Sequence, residues 1–314
     1  MNKLLLAALV TGALSAPAFA ADYTIMAPAG PGGGWDQTAR TMQEALQGEG
    51  ISGNVQVTNV PGAGGTIGLA QFATQENGNP NALIVGGYVM VGAILTNMSP
   101  VSLDNVTPIA RLTGEAVALV VPAASDIQSV DDLVAALKAD PGAVAWAGGS
   151  AGGVDHITAG LIAQAVEVDP TQVNYIAYSG GGEALAAILG GQVTVGLSGV
   201  SEFASQIEAG ELRLLAVSTD TRVPGFDAPT LMEEGVDVAV QNWRMVAAAP
   251  GITDEQKAAI TADVKAMAES ATWQSALETR GWVDTYLDGG AFATQLEADK
   301  SATEAILKDI GLVQ

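Results

Sequence analysis

The sequence predicts an α/β protein in which a strand, a glycine-rich loop and a helix recur along the chain. Four such loops follow an apolar or alternating segment and precede a segment with helical periodicity; they lie at 30–34, 61–68, 147–153 and 179–182. A continuous apolar run at 82–86 is typical of a strand buried on both faces of a parallel sheet. Such repeated units imply right-handed crossovers, parallel strands and a ligand site at the carboxyl ends of the strands.

The individual elements follow from apolar spacing, β-branched alternation and capping residues. The first helix starts near Trp35 or Asp36 and has Ala39, Met42 and Leu46 at helical spacing. Strands are predicted at 25–27, 54–60, 82–86, 117–121, 144–146, 173–177, 193–197, 213–217 and 245–249. Later helices are predicted at 69–75, 88–94, 129–138, 155–166, 183–189, 201–209, 254–268, 271–279 and 291–310.

The length of the chain favours two domains, because 314 residues exceed what one core comfortably serves. The strand pattern at 117–121 ends at Pro122, where we place the first crossing between domains. The strand at 213–217 is expected to cross back. One domain is therefore predicted at 122–217, and the other at 21–121 together with 218–314.

The first twenty residues have the pattern of an export signal. Lys3 supplies the positive region, residues 4–14 the apolar one, and Ala18-Phe19-Ala20 a small-residue cleavage site. We expect cleavage after Ala20 and a mature chain in a bacterial periplasm, with no direct insertion into the membrane. The chain has no cysteine, so it contains neither disulfides nor cysteine-based metal sites.

The charge of the mature chain is strongly negative. Without Lys3, 11 basic residues stand against 34 acidic ones, a net charge of about −23. Nucleic acid and anionic lipid are therefore excluded as partners. An anionic ligand of so acidic a protein must be held by local dipoles and by the few cations that remain.

The loop at 30–34 is suited to an anion, since it brings backbone N–H groups and the positive end of a helix to one place. A plain tight turn explains the same pattern equally well. Asp36 and Asp155 lie near helix starts, where capping is the alternative to ligand contact. His156 is compatible either with ligand contact or with a partly buried structural role.

Several catalytic and cofactor motifs are matched only in part. Residues 148–152 read G-x-S-x-G around Ser150, as a hydrolase nucleophile would, but the single histidine, His156, follows too closely for the triad order of that fold. The loop at 61–68 lacks the third glycine of a dinucleotide site, and none of the four loops contains the lysine of a phosphate loop. We expect no catalytic residue, no cofactor and no metal.

Arg244 follows Trp243 at the start of a predicted strand. Its guanidinium could bind a carboxylate through two hydrogen bonds. An ordinary surface ion pair is the alternative in a protein this acidic.

Several short motifs, in order along the mature chain, resemble the solute receptors of the tripartite tricarboxylate transporter family. They are Ala29-Gly-Pro-Gly-Gly-Gly-Trp-Asp36 with Thr38-Ala-Arg40, Asn59-Val-Pro-Gly-Ala-Gly-Gly65, Trp146-Ala-Gly-Gly-Ser-Ala-Gly-Gly-Val-Asp-His156, Gly190-Gly-Gln-Val, Asn242-Trp-Arg244 and Ala248-Ala-Pro250. The resemblance implies a type II periplasmic binding protein fold. Two doubly wound α/β lobes would be joined by two crossing strands, with the ligand in the cleft between them.

The resemblance also implies which residues meet a carboxylate ligand, largely through main-chain groups. Carried over by position, with Arg244 added from its own context, they are Pro31, Gly32, Gly33, Trp35, Asp36, Gly64, Gly65, Ser150, Gly152, Gly153, Asp155, His156, Tyr178, Ser179, Gly180, Ser198 and Arg244. The chain departs from the family at Gly153-Val154-Asp155, where many members carry Thr-Ser-Ser. Its Trp243-Arg244 pair resembles the tricarboxylate-binding branch, which makes citrate the leading candidate.

The predicted function is that of a non-catalytic, monomeric receptor. It would capture a small di- or tricarboxylate by hinge closure and deliver it to the permease subunits of a membrane transporter. Two alternatives remain open: a secreted hydrolase that uses Ser150, and a carboxylate receptor that serves a periplasmic sensor.

Overall fold

A computed structural model describes residues 21–314, and the predicted export signal at 1–20 lies outside them. The strands are β1 (Tyr23–Ala27), β2 (Val55–Asn59), β3 (Ala82–Gly87), β4 (Thr107–Pro122), β5 (Ala145–Gly148), β6 (Asn174–Ala177), β7 (Val195–Gly199), β8 (Leu212–Val217), β9 (Gln241–Ala248) and β10 (Trp282–Asp288). The α-helices are α1 (Gly34–Gly48), α2 (Thr66–Gln75), α3 (Tyr88–Thr96), α4 (Val130–Ala139), α5 (Val154–Ala165), α6 (Gly181–Leu189), α7 (Val200–Glu208), α8 (Asp254–Glu269), α9 (Ala271–Arg280) and α10 (Gly289–Asp309).

The strands form two sheets that share β4. The first sheet has the order β2-β1-β3-β9-β4, with β10 also paired to β4. The second has the order β4-β7-β5-β6, with β8 also paired to β4. The predicted parallel pairing holds for β1 with β2 and β3, and for β5 with β6 and β7. Strand β9 runs antiparallel to both β3 and β4.

Strand β4 passes from one sheet to the other within its own length. Ala116 is the last residue in register with β9, and Val117 is the first in register with β7. The strand is much longer than the predicted 117–121, because Thr113, Gly114 and Glu115 interrupt the apolar pattern in its first half. The predicted domain boundaries at 121/122 and 217/218 stay predictions.

Strand β10 was not expected from the sequence. It pairs antiparallel with β4, with a register shift between Asp284 and Leu287. Only Trp282 at its start is fully buried, while Val283 is 46% exposed. A strand of this kind, partly exposed and placed between two helices, gives little periodic signal.

Helices cover the sheets with small and apolar faces. Helix α1 buries Trp35, Ala39, Met42 and Leu46 against β1 and β2, as its periodicity predicts. At the far end of the chain, Ile310 packs on Gly160 of α5, so the residue after α10 reaches an element of the second sheet. Within residues 21–314, no helix is long and apolar enough to cross a bilayer.

Candidate ligand-binding site

A cleft lies where the loops of the two sheets face each other, and the space in it that water-sized molecules can occupy is about 60 Å³. From the first sheet it is lined by Pro28, Ala29, Gly33, Gly34, Trp35, Gly62, Gly64, Gly65, Val89, Asn242 and Arg244. From the second it is lined by Gly149, Ser150, Val154, Asp155, Ser179, Gly180, Gly181, Ser198 and Glu202.

Two of these loops have the same backbone conformation. In turn A (residues 30–33), the N–H of Gly33 donates to the carbonyl of Gly30 at 3.2 Å, and Gly32 has a φ of +82°. In turn B (residues 150–153), Gly153 donates to Ser150 at 2.9 Å, and Gly152 has a φ of +72°. A positive φ at the third position is the signature of a type II turn and favours glycine there. Each turn leads directly into a helix, α1 after turn A and α5 after turn B.

Asp36 holds turn A in place. Its Oδ2 accepts the N–H of Gly32 at 2.8 Å and the Nε of Arg40 at 3.0 Å, and its Oδ1 accepts Nδ2 of Asn59 at 2.8 Å. Burial raises the pKa of this carboxyl, but the three hydrogen bonds outweigh burial and leave the pKa below its usual value. Asp36 is therefore an ionised brace for the loop. It lies within the first turn of α1, whose N-cap is Gly33, so it is not the capping residue.

His156 is the counterpart of Asp36 in turn B. Its Nδ1 accepts the N–H of Gly152 at 3.2 Å, as Asp36 accepts that of Gly32. The imidazole stacks on Tyr175 with ring centroids 4.1 Å apart, and burial lowers its pKa to about 4. A neutral imidazole is what this acceptor role requires.

Four charged side chains from four elements lie at the cleft or directly behind its lining, and we call them the floor cluster: Glu115, Asp155, Glu202 and Arg244. All of them except Glu115 line the cleft. Arg244 on β9 and Glu115 on β4 form a buried ion pair through Nη2 and Oε2. The other carboxylate oxygen of Glu115 accepts the N–H of Ser201 at 2.8 Å and also its hydroxyl. Both carboxylate oxygens of Glu115 therefore have partners, and its negative charge offsets the positive charge of Arg244.

Glu202 lies beside this pair. A Cβ added at Gly34 would collide with the Arg244 guanidinium and would lie 3.2 Å from Oε1 of Glu202, so the two side chains meet at the same backbone surface. Desolvation and the charge of Glu115 raise the pKa of Glu202 to about 8, although Arg244 acts in the opposite direction.

Asp155 completes the floor cluster and is 7% exposed. Its Oδ2 accepts the N–H of Gly149 at 2.8 Å, whereas its Oδ1 has no hydrogen-bond partner among residues 21–314. Burial raises its pKa to about 7; the Gly149 N–H opposes the shift, and Glu115 adds to it. Asn242, also 7% exposed and part of the cleft lining, likewise has a buried Oδ1 that no group of the described chain satisfies.

On one side of the cleft, helix α3 contacts turn B. The hydroxyl of Thr96 on α3 donates to the carbonyl of Ala151 at 3.2 Å. Gly92 on the same helix faces turn B so closely that a Cβ there would collide with the carbonyl of Gly152. We call this contact the α3 seam.

Comparison with known proteins gives the family of the chain. Residues 38–312 match the tripartite tricarboxylate transporter family receptor. The chain belongs to this family. It is 29% identical over 255 residues to the protein BugT of Bordetella pertussis, covering 78% of this chain and 77% of that protein.

Solved structures with the same fold include BugD, with a TM-score of 0.84 at 20% identity, covering 93% of this receptor and 98% of BugD. The structure of MatC from Rhodopseudomonas palustris with bound malate has a TM-score of 0.79 at 21% identity, covering 93% of this chain and 99% of MatC. The predicted type II periplasmic binding protein fold and the predicted family are confirmed. Because the family consists of transport receptors, the prediction of a non-catalytic protein is confirmed as well.

The receptor's predicted site residues divide into two groups. Those that line the cleft are Gly33, Trp35, Gly64, Gly65, Ser150, Asp155, Ser179, Gly180, Ser198 and Arg244. Those that do not line it are Pro31, Gly32, Asp36, Gly152, Gly153, His156 and Tyr178. Asp36 and His156 instead hold the turns whose neighbours face the cleft.

The hydrolase alternative fails in the receptor's geometry as well as in its family. Ser150 lines the cleft, but the acceptor nitrogen of His156 is used by Gly152 and its ring lies against Tyr175. Among the described residues, no hydrogen bond joins Ser150 to His156. A serine without a general base has no means of activation.

Sequence reasoning missed three polar residues at the receptor's site: Glu115 and Asn242, which are buried, and Glu202, which lines the cleft. A signal existed for Glu115, which is the one charged side chain in the stretch 112–122. Glu202 resembles any acidic residue in the first turn of a helix. Arg244, expected to be a ligand clamp or a surface ion pair, forms an ion pair that is buried.

Proposed function

We propose that this receptor captures a small carboxylate in the cleft between its two sheets and delivers it to the permease subunits of a membrane transporter. The observation that carries the proposal is the convergence of helix N-termini. First-turn residues of α1, α5, α6 and α7 all line the cleft, and α2 starts directly after Gly65, which also lines it. Helix N-termini and glycine loops attract a carboxylate without requiring a cationic side chain.

The charges of the floor cluster favour a ligand with few carboxylates. One guanidinium stands against three carboxyl groups, and Glu115 already neutralises it. A third ligand carboxylate in the cleft would meet no free cation among the residues that line it. We therefore favour a monocarboxylate or dicarboxylate over citrate. The malate bound in MatC, a dicarboxylate, supports this choice.

Capture by hinge closure is supported by the connection between the sheets. Strand β4 is shared by both, and β9 joins the first sheet next to the point where β4 changes sheets. Rotation about such a connection would open and close the cleft at the α3 seam. We further propose that the mature receptor starts at Ala21, acts as a monomer in the periplasm and serves a transporter rather than a sensor. Neighbouring genes for membrane subunits would distinguish these two roles.

The test is a thermal-shift series with the ligand-free mature chain and a panel of monocarboxylates, dicarboxylates and tricarboxylates at millimolar concentration. A ligand that binds only the folded state at 100 times its Kd stabilises it by about 2.7 kcal/mol, which raises Tm by a few degrees. We expect at least one dicarboxylate or monocarboxylate to do so. If no carboxylate raises Tm, the proposed function is wrong; if only citrate does, the charge argument is wrong.

A further inference from the structure

The side chain of Glu202 lies between the first residues of α1 and α6, two helices that reach the cleft from different sheets. A Cβ added at Gly34, which begins α1, would lie 3.2 Å from Oε1 of Glu202. A Cβ added at Gly181, which begins α6, would collide with Oε2 of Glu202 and with the hydroxyl of Ser198. Glu202 is only partly buried and lines the cleft together with both glycines. A ligand carboxylate that reaches these two helix starts therefore comes into contact with the carboxyl group of Glu202.

The charges around Glu202 disfavour a second ionised carboxylate beside it. Glu115 on β4 and Asp155 on α5 add negative charge, and the guanidinium of Arg244 on β9 is paired with Glu115. Two carboxylates in contact repel each other, whereas a carboxylic acid and a carboxylate share a strong hydrogen bond of about 2.5–2.7 Å. Desolvation and the charge of Glu115 raise the pKa of Glu202 to about 8, so the free receptor already holds this proton at pH 7 in most molecules.

We propose that Glu202 binds the ligand as a neutral acid, donating its O–H to a ligand carboxylate, so that capture requires a proton on this side chain. The inference rests on the proposed function, in which a carboxylate enters the cleft. A protonated carboxyl group has one O–H donor, which adds a side-chain contact to the main-chain groups of the glycine loops without adding charge. The negative charge of the bound ligand stabilises the neutral acid further, so the complex keeps the proton to higher pH than the free receptor does.

The test is the pH dependence of affinity, measured by calorimetry on the ligand-free mature receptor with acetate, succinate, malate and glutarate as probes. These acids are ionised above pH 7, so any titration between pH 7 and 9.5 belongs to the receptor. We expect the Kd of the tightest probe to rise about tenfold or more across this range, because the pKa of Glu202 in the free receptor is about 8. At pH 8 each ligand bound should take up about half a proton, which appears as a heat that depends on the ionisation enthalpy of the buffer.

Three variants assign the proton to Glu202. The amide of Glu202→Gln has nearly the same shape and keeps N–H donors at every pH, so its Kd should change by less than about threefold from pH 7 to 9.5, without proton uptake. Asp155, with a raised pKa of about 7, titrates at the lower edge of the range, and Asp155→Asn should keep most of the dependence. Glu208→Gln, at the exposed end of the same helix as Glu202, should keep all of it. Circular dichroism at both pH values shows whether each protein is folded.

The outcomes separate this inference from the proposed function. A Kd that stays constant from pH 7 to 9.5 with no proton uptake, while the probes still bind, overturns the inference and leaves the function intact. A pH dependence that Glu202→Gln retains in full overturns it in the same way, because another group then carries the proton. No binding of any carboxylate at any pH overturns both.

Discussion

Arg244 on β9 and Glu115 on β4 form an ion pair in which the side chains are only 1% and 0% exposed. The guanidinium also lies 5.0 Å above the ring of Trp282 on β10. The pair therefore joins three neighbouring strands beneath the cleft. Because the two charges are enclosed together, each is stable only while the other is present.

Removal of one partner should be far more damaging than removal of both. We expect Arg244→Met and Glu115→Gln each to lower the free energy of unfolding by about 3–5 kcal/mol, because each leaves a buried polar group without its partner. The double variant should recover much of that loss. Chemical denaturation of all four proteins measures the coupling energy. If the loss in the double variant equals the sum of the two single losses, Arg244 and Glu115 do not stabilise the fold as a pair.

The α3 seam gives a prediction with opposite signs for stability and binding. Gly92→Ala places a methyl group in a helix interior, where alanine is favoured over glycine by about 0.8–1 kcal/mol. The same methyl group would collide with the carbonyl of Gly152 when the cleft is closed. The closed conformation should therefore be less populated. We expect the Tm of the free receptor to stay the same or rise, while the Kd for its carboxylate increases about tenfold or more.

The control for this variant is Gly48→Ala in α1, where a Cβ would meet nothing within 4 Å. It should leave ligand affinity unchanged. Unchanged affinity in Gly92→Ala would show that closure does not use this contact.

Asp36 offers a test of how turn A is held. Asp36→Ala removes the acceptor for Gly32, Arg40 and Asn59 and should lower the free energy of unfolding by about 1–3 kcal/mol. Asp36→Asn keeps one acceptor oxygen, so its free energy of unfolding should lie between those of the wild type and Asp36→Ala. Affinity for the carboxylate should drop in the same order, measured by calorimetry. Asp131→Ala, at an exposed acidic position in the first turn of α4, is the control and should change neither quantity.

The floor cluster predicts that stability falls as the pH rises through neutrality. Asp155 and Glu202 have raised pKa values of about 7 and about 8, with Glu115 on β4 and Arg244 on β9 as the charged neighbours. Between pH 6.5 and 8.5 the folded chain holds protons that the unfolded chain has already lost, so the free energy of unfolding decreases with pH. His156, whose pKa is about 4 in the folded chain and about 6.5 in the unfolded chain, opposes this decrease only at the acidic edge of the window, where the unfolded imidazole still holds a proton.

We therefore expect the Tm of the free receptor to drop by a few degrees from pH 6.5 to 8.5. Glu202→Gln should reduce the drop, whereas Glu208→Gln should not. A Tm that stays flat or rises across this window would show that these carboxyl groups are ionised throughout.

The turns could be predicted from the sequence because their glycines have a local cause. A positive φ at Gly32 and Gly152 belongs to a turn a few residues long, and the residues that require it are adjacent in the chain. The strand–loop–helix units and the presence of glycine loops at the cleft follow from that local pattern.

The floor cluster could not be predicted in the same way. Glu115 and Arg244 are far apart in the chain and meet only because β4 and β9 pair in one register. The contacts within the floor cluster depend on that register and on helix α7, which contains Ser201 and Glu202. A single sequence carries no record of these long-range contacts, so Arg244 was expected to bind the ligand or to form a surface ion pair, and the buried pair with Glu115 was not foreseen.

The glycines that line the cleft, among them Gly33, Gly65 and Gly180, offer only main-chain groups, whereas the floor cluster contributes side chains. Substitutions at the floor can change which molecule is preferred without altering the backbone that grips an acid group. Under the proposed function, capture and selectivity would therefore be encoded in separate parts of the chain. A receptor built in this way can acquire a new nutrient by a few point changes, and the same division makes it a practical scaffold for biosensor engineering.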